Sequence, residues 1–309
     1  MANNAIEVSG VTQRFGEVRA LDDLSLTVAQ GEMFGLIGHN GAGKSTLFKL
    51  MLGLITSSGG QIRVQGSTVG SADFRRVRRR IGYLPENFVT YDNLSGLEVL
   101  RLFADLKRVP HSTCTPLLER VGLAHAAQRR VRGYSKGMRQ RLGFAQALLG
   151  EPNLVFLDEP TNGLDPEGIH EFYRILRDVQ AGGATIVITS HILAEIQERV
   201  DSLAILVSGR VAAQGSLAEL RRKTVLPSVI RVKPKPGCAL PAREVFASLP
   251  GLSLKEAADG LLIGCAVEQK IPVLGILAGF SDAIADIAIR EPSLEDLFLG
   301  YGGAHVRSH

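Results

Sequence analysis

One glycine-rich loop constrains this chain more than any other feature. The apolar run MFGLIG, residues 33–38, predicts a buried strand that leads directly into GHNGAGKST, residues 38–46. The following LFKLMLGL, residues 47–54, has apolar residues at helical spacing. The segment from Gly38 to Ser45 fits the spacing G-x-x-x-x-G-K-[ST]. A strand, a glycine loop and a helix therefore follow one another, which is the context that this motif requires.

A loop of this kind binds phosphate groups. Its glycines allow successive backbone N–H groups to surround an anion, and the helix N-terminus adds about half a positive charge. We expect Lys44 to reach the β- and γ-phosphates and the Ser45 hydroxyl to coordinate Mg²⁺. A chance glycine turn is the alternative, and the flanking strand and helix disfavour it. The residues predicted to bind the phosphates of ATP are Gly38, His39, Asn40, Gly41, Ala42, Gly43, Lys44, Ser45 and Thr46.

Two carboxylates follow a second buried strand. The stretch LVFLDEP, residues 154–160, predicts a strand that delivers acids to its carboxyl end, where open α/β sheets bind ligands. Asp158 is then positioned to hold Mg²⁺ through water, and Glu159 to orient or deprotonate an attacking water. The alternative is a turn that merely ends the strand. The phosphate loop makes the catalytic interpretation the stronger one.

His191 follows a third apolar strand, TIVITS, and so belongs to the same predicted edge of the sheet. It could donate a hydrogen bond to a γ-phosphate. A lone histidine at the end of a strand is more often structural, so this assignment depends on the other motifs.

Strands and helices alternate along most of the chain, which predicts a mostly parallel α/β sheet. Amphipathic helices dominate from about 87 to 150, and the character changes to smaller strands and helices after TVLPSV. We therefore predict one α/β domain over residues 1–224, with a helical subdomain at 87–150. A small α+β domain over residues 225–309, with a β-α-β-β-α-β order, is predicted to follow.

Composition excludes several classes of protein. A chain of 309 residues is long enough for about two domains. Its net charge of +4 gives no basic domain, and no aromatic residues interleave the basic ones, so we expect no nucleic-acid partner. Three separated cysteines, Cys114, Cys238 and Cys265, predict neither a disulfide framework nor a zinc site and favour a reducing, cytoplasmic setting. No signal peptide or membrane-spanning run is apparent in the sequence.

The order of the motifs GHNGAGKST, YSKGMRQR, LVFLDEP, NGLD and SH resembles that of the ATP-binding subunits of ABC transporters. This resemblance implies a P-loop NTPase fold, ATP hydrolysis coupled to transport, and a homodimer that drives a separate integral membrane permease. It also implies that Ser135 and the Gly137 backbone bind the ATP held by the partner chain. Arg139 and Arg141 are then predicted to be charges on the helix surface.

Further site residues follow from the same resemblance. Phe15, in QRFG, matches the aromatic residue on which adenine stacks, and the alternative is a core residue of a strand. Asp165, in NGLD, matches the loop that links the two sites of the dimer. Glu86, in YLPENF, stands where a glutamine usually contacts Mg²⁺ and the membrane subunit. Lys136 and Met138 also depart from the usual LSGGQ signature.

A narrower resemblance concerns the transported cargo. REPSLEDLFLGY resembles the end of the ATPases of two-gene drug and polysaccharide exporters. Within that group, YLPENFVTYDNLSG, VGLAHAAQRRV and YSKGMRQRLGFAQALLGEP are similar to segments of the NosF-type ATPases of nitrous oxide reductase maturation. This implies a peripheral protein on the cytoplasmic face of the inner membrane, a copper or sulfur cargo and a periplasmic accessory protein. The cysteines and methionines themselves form no copper-binding cluster.

A general drug or polysaccharide exporter ATPase is the first alternative, and a soluble non-transport ABC ATPase or a regulatory module without activity is the second. The arginine run FRRVRRRIG, residues 74–82, predicts a solvated helical face more strongly than a phosphate or lipid site. The terminal HVRSH is expected to be a tail and not a metal site.

Overall fold

The computed structural model describes residues 4–192, 196, 199–223, 228–238, 243–246, 249–257 and 260–290. The chain divides into two compact units, Met1–Leu217 and Ala218–His309. The division falls at the start of a short helix, Leu217–Lys223, whereas the sequence places the boundary near 224. The predicted tail HVRSH and the segment EPSLEDLFLGY lie outside the described residues.

A six-stranded sheet forms the centre of the first unit. Five strands are parallel and the edge strand β10 is antiparallel. From one edge to the other the strands are β10 (Arg210–Gly215), β9 (Ser202–Val207), β3 (Met33–Gly38), β8 (Thr185–Ser190), β7 (Leu154–Asp158) and β6 (Ile81–Leu84). Every residue of β3, β7 and β8 is buried, as their continuous apolar runs predict. The parallel order brings the carboxyl ends of these three strands to one edge of the sheet.

A second, antiparallel sheet belongs to the same unit. Its strands are β2 (Val18–Ala29), β1 (Asn4–Phe15), β4 (Gly59–Val64) and β5 (Ser67–Thr68), in that order. Helix α1 (Lys44–Met51) belongs to the apolar core that includes residues of both sheets, and Phe48 stacks edge-on against Phe156 with ring centroids 5.2 Å apart. This packing fixes the helix that begins at the phosphate loop.

Most of the region from 87 to 150 is helical, as predicted. It contains α3 (Gly96–Lys107), α4 (Cys114–Arg120) and α5 (Lys136–Leu148), with short 3-10 turns between them. Ser95 and Glu98 form a reciprocal capping box that fixes the start of α3. The arginine run lies on α2 (Phe74–Arg79), where Phe74 is buried and the arginines are exposed, which confirms the solvated helical face.

The second unit contains a four-stranded antiparallel sheet in the order β12-β13-β11-β14. Its strands are β11 (Ser228–Pro234), β12 (Ser253–Ala257), β13 (Gly260–Cys265) and β14 (Ile284–Arg290). A 3-10 helix, Arg243–Phe246, follows β11, and helix α8 (Lys270–Ala278) precedes β14. Two further helices, α6 (Pro166–Ala181) and α7 (Leu217–Lys223), come before this sheet in the chain. The element order matches the predicted β-α-β-β-α-β unit, with a 3-10 helix in the first helical position.

Candidate ATP-binding and hydrolysis site

The phosphate loop depends on a glycine at its last position before the helix. Gly43 has φ of 106°, which places it in the left-handed region. A Cβ atom there would lie 2.7 Å from Leu21 Cδ2 and 2.8 Å from the Ala20 carbonyl oxygen. Glycine is therefore required both by the backbone conformation and by the strand β2 that packs beneath the loop.

Lys44 is held by the loop itself. Its Nζ donates a 2.6 Å hydrogen bond to the Gly38 carbonyl and lies 3.5 Å from Glu159 Oε1. The side chain is only 7% exposed, so the ammonium group has exchanged water for these oxygens. Lys44 of the phosphate loop thus contacts Glu159 of the second motif, so residues more than a hundred positions apart in the chain lie together.

Asp158 is a buried carboxylate with hydroxyl partners. Thr189 Oγ1 donates a 2.6 Å hydrogen bond to Asp158 Oδ1, and Ser45 is a second hydrogen-bond partner. Burial is the largest influence and raises the pKa of Asp158, while the two hydroxyls and Lys44 oppose it. A carboxylate beside a serine hydroxyl offers the oxygen ligands that Mg²⁺ prefers, and a bound cation would offset the cost of burying the charge. The donor set thus fits Mg²⁺.

Glu159 lies between two nitrogen groups. Its Oε2 is 2.7 Å from His191 Nδ1, and its Oε1 is the one that faces Lys44. Its backbone N–H donates to Thr189 Oγ1 at 2.9 Å, and its φ of 48° puts a non-glycine residue in the left-handed region. The turn after β7 thus fixes the carboxylate in a defined direction, which is what a general base needs.

The structure places both candidate catalytic groups at the carboxyl edge of the sheet. His191 follows β8 and its side chain is 41% exposed, while Glu159 follows β7 and is nearly buried. The pair has the geometry in which one group orients the other.

The signature loop forms a second, separate group of predicted residues. Ser135 caps α5 by accepting from the Met138 N–H at 3.2 Å, and Asp165 caps α6 by accepting from the Gly168 N–H at 3.0 Å. Both residues line one cavity of about 540 Å³, together with Gly137. None of the phosphate-loop residues lines this cavity. Within one chain, the predicted ATP ligands therefore fall into two groups.

Phe15 and Glu86 lie at the surface. The Phe15 ring is 51% exposed at the end of β1, so it is not a core residue. Glu86 follows β6 and is also exposed. Burial, with added repulsion from Asp158 and Glu86, raises the pKa of Tyr83 to about 12. The Tyr83 hydroxyl therefore stays protonated and uncharged beside the carboxyl groups of Asp158 and Glu86.

The arginines of the signature helix form ion pairs on their own chain. Arg139 Nη1 is 2.6 Å from Asp92 Oδ1, and Arg141 Nη1 is 2.7 Å from Glu171 Oε2. Both acids are partly exposed, so these are surface charges, as the sequence predicts.

Sequence reasoning missed two residues of the site. Thr189 bonds both Asp158 and Glu159, and the buried Gln140 donates from Nε2 to the Pro160 carbonyl at 3.0 Å. Thr189 could have been found, because it precedes His191 by two positions and parallel neighbouring strands end side by side. The local sequence does not indicate the role of Gln140, because its hydrogen bond joins α5 to a turn twenty residues further along the chain.

The fold and the site together define a P-loop ATPase. The family described as "ABC transporter" matches residues 21–162 of this chain. A daunorubicin resistance ATP-binding protein of Streptomyces coeruleorubidus is 36% identical over 98% of this chain and 97% of its own length. An uncharacterized ABC transporter ATP-binding protein of Nostoc sp. is 47% identical, but the match spans only 66% of this chain and 62% of that protein. This chain belongs to the ATP-binding subunits of ABC transporters.

Solved structures agree with this assignment. An ATP-binding subunit of an ABC transporter shares 36% identity, with a TM-score of 0.66 over 71% of this chain and 92% of that one. A dimeric ATP-binding cassette in a post-hydrolysis state, bound to ADP and Pi, shares the fold with a TM-score of 0.64 at 24% identity, over 69% of this chain and 98% of its own. The protein is an ATPase of this family. No helix among the described residues is long and apolar enough to cross a membrane.

Proposed function

We propose that two copies of this chain close around two ATP molecules and drive a separate membrane permease. The observation that carries this proposal is the division of the predicted ATP ligands into two groups. Lys44, Asp158 and Glu159 lie together, whereas Ser135 and Gly137 line a separate cavity. Each ATP would be held by the first group of one copy and contacted by the second group of the other.

The contact between Lys44 and Glu159 suggests how hydrolysis is controlled. The Lys44 ammonium group lies 3.5 Å from Glu159 Oε1 and so competes with water for this oxygen of the base. A γ-phosphate is a stronger partner for the ammonium group, so its arrival would free Oε1 to accept a proton from water. Asp158 and Ser45 would hold Mg²⁺, which neutralises phosphate charge when it is bound. His191 would keep Glu159 oriented through Oε2.

The split site is tested with two substitutions in separate copies. Ser135→Arg should abolish hydrolysis with little loss of ATP affinity, while Lys44→Ala should weaken ATP binding by its own chain. A mixed dimer of the two variants, purified through two different tags, contains one doubly damaged site and one intact site. Partial activity should return if one intact site suffices. Arg139→Lys, on the helix that Ser135 caps, is the control for Ser135→Arg. Loss of ATP binding by an isolated Ser135→Arg chain would refute the proposal.

For its location, we infer that the chain is peripheral on the cytoplasmic face of the inner membrane, bound there by its permease. Support comes from the surface that follows β6, where Glu86, Val89 and Tyr91 are exposed and the two apolar side chains are 84% and 62% accessible. Membrane fractions should contain the chain only when the permease is co-expressed. Fractionation with membranes from cells that lack a permease would contradict this.

For the cargo, we propose a role in the maturation of nitrous oxide reductase, with a permease and a periplasmic accessory protein as partners. Support comes from the similarity of YLPENFVTYDNLSG and VGLAHAAQRRV to NosF-type ATPases. Deletion of the gene, or Glu159→Gln, should leave the reductase exported but short of copper, so that nitrous oxide accumulates during denitrification. Resistance to drugs should not change.

A second candidate is a general exporter of amphipathic molecules. It is favoured by the daunorubicin resistance relative and by a Nod factor export ATP-binding protein of Ralstonia nicotianae, which is 33% identical over 98% of this chain and 95% of its own length. In this case the deletion strain should keep a copper-replete reductase and become sensitive to an amphipathic drug. The same strain therefore separates the two candidates.

A further inference from the structure

The edge strand β14 exposes apolar side chains that belong to the core face of its sheet. Among the described residues, β14 pairs only with β11, and none of them forms a strand on its other edge. Ile289 is directly opposite Ile230 and Ile287 is opposite Val232, and paired residues of antiparallel strands point to the same face. Ile230 and Val232 are fully buried, whereas Ile287 and Ile289 are 36% and 46% exposed.

The opposite edge of the same sheet is different. Strand β12 carries Lys255 and Glu256 next to each other, so both of its faces are charged. Charged side chains are the usual protection of an edge strand against pairing with another chain. Strand β14 has one acid, Asp286, and one terminal cation, Arg290, with only apolar residues between them. Of the two edges, β14 is therefore the one suited to pairing.

The sequence of β14 is complementary to itself in one antiparallel register. When Ala288 faces its own copy, Asp286 faces Arg290 and Ile287 faces Ile289, and each pair occurs twice by symmetry. A shift by one residue would place Ile287 opposite itself and Asp286 opposite Ala288, which leaves the acid without its cation. Only the register centred on Ala288 matches charge with charge and apolar with apolar side chains.

We propose that β14 pairs antiparallel with β14 of a second copy of this chain, in the register centred on Ala288. The two four-stranded sheets then become one sheet of about eight strands. An apolar row runs from Val232 through Ile287 to Ile289 and Ile230 of the second copy. Asp286, which already faces Lys233 on β11, gains a second cationic neighbour. This dimer goes beyond the ATP-driven closure proposed above, because it requires no nucleotide.

The test uses the full-length chain without nucleotide, in sedimentation equilibrium over a range of concentrations. The parent chain should be a dimer. Asp286→Lys should raise the dimer dissociation constant about tenfold or more, because it puts like charges opposite each other twice. Combining Asp286→Arg with Arg290→Asp should restore the dimer. The matched control is Asp282→Lys, which makes the same charge change in the loop before β14 and should have no effect.

Cross-linking checks the register. In a Cys238→Ser background, Ala288→Cys should form a disulfide-linked dimer on mild oxidation, and Lys255→Cys on the opposite edge should not. A monomeric parent, or Asp286→Lys dimers as stable as the control, would overturn the proposal. So would an Ala288→Cys variant that stays monomeric with an unreactive thiol, the result expected if residues 291–309 cover β14. Cross-linking of the Ala288→Cys variant to a permease alone would point to a different partner and would also overturn it.

The same measurements in a Lys44→Ala background keep the two proposals apart. A β14 dimer should persist there, since it does not depend on ATP. If it persists while ATP never drives further closure of the parent chain, the proposed function fails alone. If ATP drives closure but the nucleotide-free chain is a monomer, this inference fails alone.

Discussion

The Thr189 hydroxyl donates to Asp158 Oδ1 at 2.6 Å and accepts from the Glu159 N–H at 2.9 Å, so one side chain positions both acids of the site. Thr189 is fully buried on β8, and Asp158 is its direct neighbour on β7. The register between two parallel strands therefore sets the geometry of the predicted metal ligand and of the predicted base.

Thr189→Val should keep the shape of the core but remove this hydroxyl. A buried hydrogen bond to a charged group is worth roughly 1.5–3 kcal/mol, so we expect the Mg²⁺ concentration for half-maximal ATPase activity to rise about tenfold or more. Thr189→Ser is the control and should retain most of the activity. Unchanged Mg²⁺ dependence in a folded Thr189→Val protein would show that the threonine does not position Asp158.

Glu159→Gln keeps the shape of the side chain but removes the base. ATP hydrolysis should fall by about 10² to 10⁴ while ATP binding is retained. In an Asp286→Lys background, which suppresses pairing through β14, saturating ATP should convert monomers to dimers that persist. Hydrolysis at the parental rate, or monomers under saturating ATP, would mean that another group is the base.

Gly163→Ala tests the contact between the NGLD loop and the signature loop. Gly163 has φ of 91°, and a Cβ atom would lie 2.8 Å from Lys136 Cδ. Gly183 is the matched control, because its φ is 92° but nothing lies within 4 Å of a Cβ atom there. Both alanines should lower the free energy of unfolding by about 1 kcal/mol through backbone strain.

Gly163→Ala should lower the free energy of unfolding by more than Gly183→Ala does. Adding Lys136→Ala to Gly163→Ala should remove only this excess loss. Urea denaturation measures all four proteins, including the parent. Equal losses for the two single alanines would mean that the lysine moves away freely.

Lys107 should make stability depend on pH in the alkaline range. Burial lowers its pKa to about 8, and its Nζ donates to the carbonyls of Ile81 and Leu149 at 3.3 Å and 3.1 Å. Since the unfolded chain holds this proton up to about 10.5, it binds more protons than the folded chain between pH 8 and 10.5. The free energy of unfolding should therefore rise with pH in that window, by about 3 kcal/mol in all.

Lys107→Met supplies the reference, because it removes the titrating group and keeps the length of the chain. The difference in unfolding free energy between parent and variant should grow in favour of the parent from pH 8 to pH 10. A constant difference would show that the lysine has an ordinary pKa in the folded protein.

Local sequence predicted the parts of the site that are contiguous. The phosphate loop from Gly38 to Thr46 could be predicted because strand, loop and helix adjoin in the chain, and Asp158 and Glu159 could be predicted because a wholly apolar strand precedes them. The pairing of Lys44 with Glu159 could not, since it depends on β8 lying between β3 and β7. Strand order is a tertiary property that no window of sequence contains.

The second unit shows the same limit. Smaller strands and helices are predicted after TVLPSV, and the antiparallel sheet contains β11 and β13 in that region. Which strand forms the edge could not be predicted, because β14 is the last strand among the described residues but lies beside the first strand of its sheet. The exposure of Ile287 and Ile289 follows from that order and not from their own hydropathy.

The hydrogen bond from Lys44 to the Gly38 carbonyl has a consequence for nucleotide affinity. A phosphate bound by Lys44 competes with this carbonyl and with the Glu159 carboxylate for one ammonium group. Only the difference between the two sets of contacts therefore contributes to the free energy of nucleotide binding.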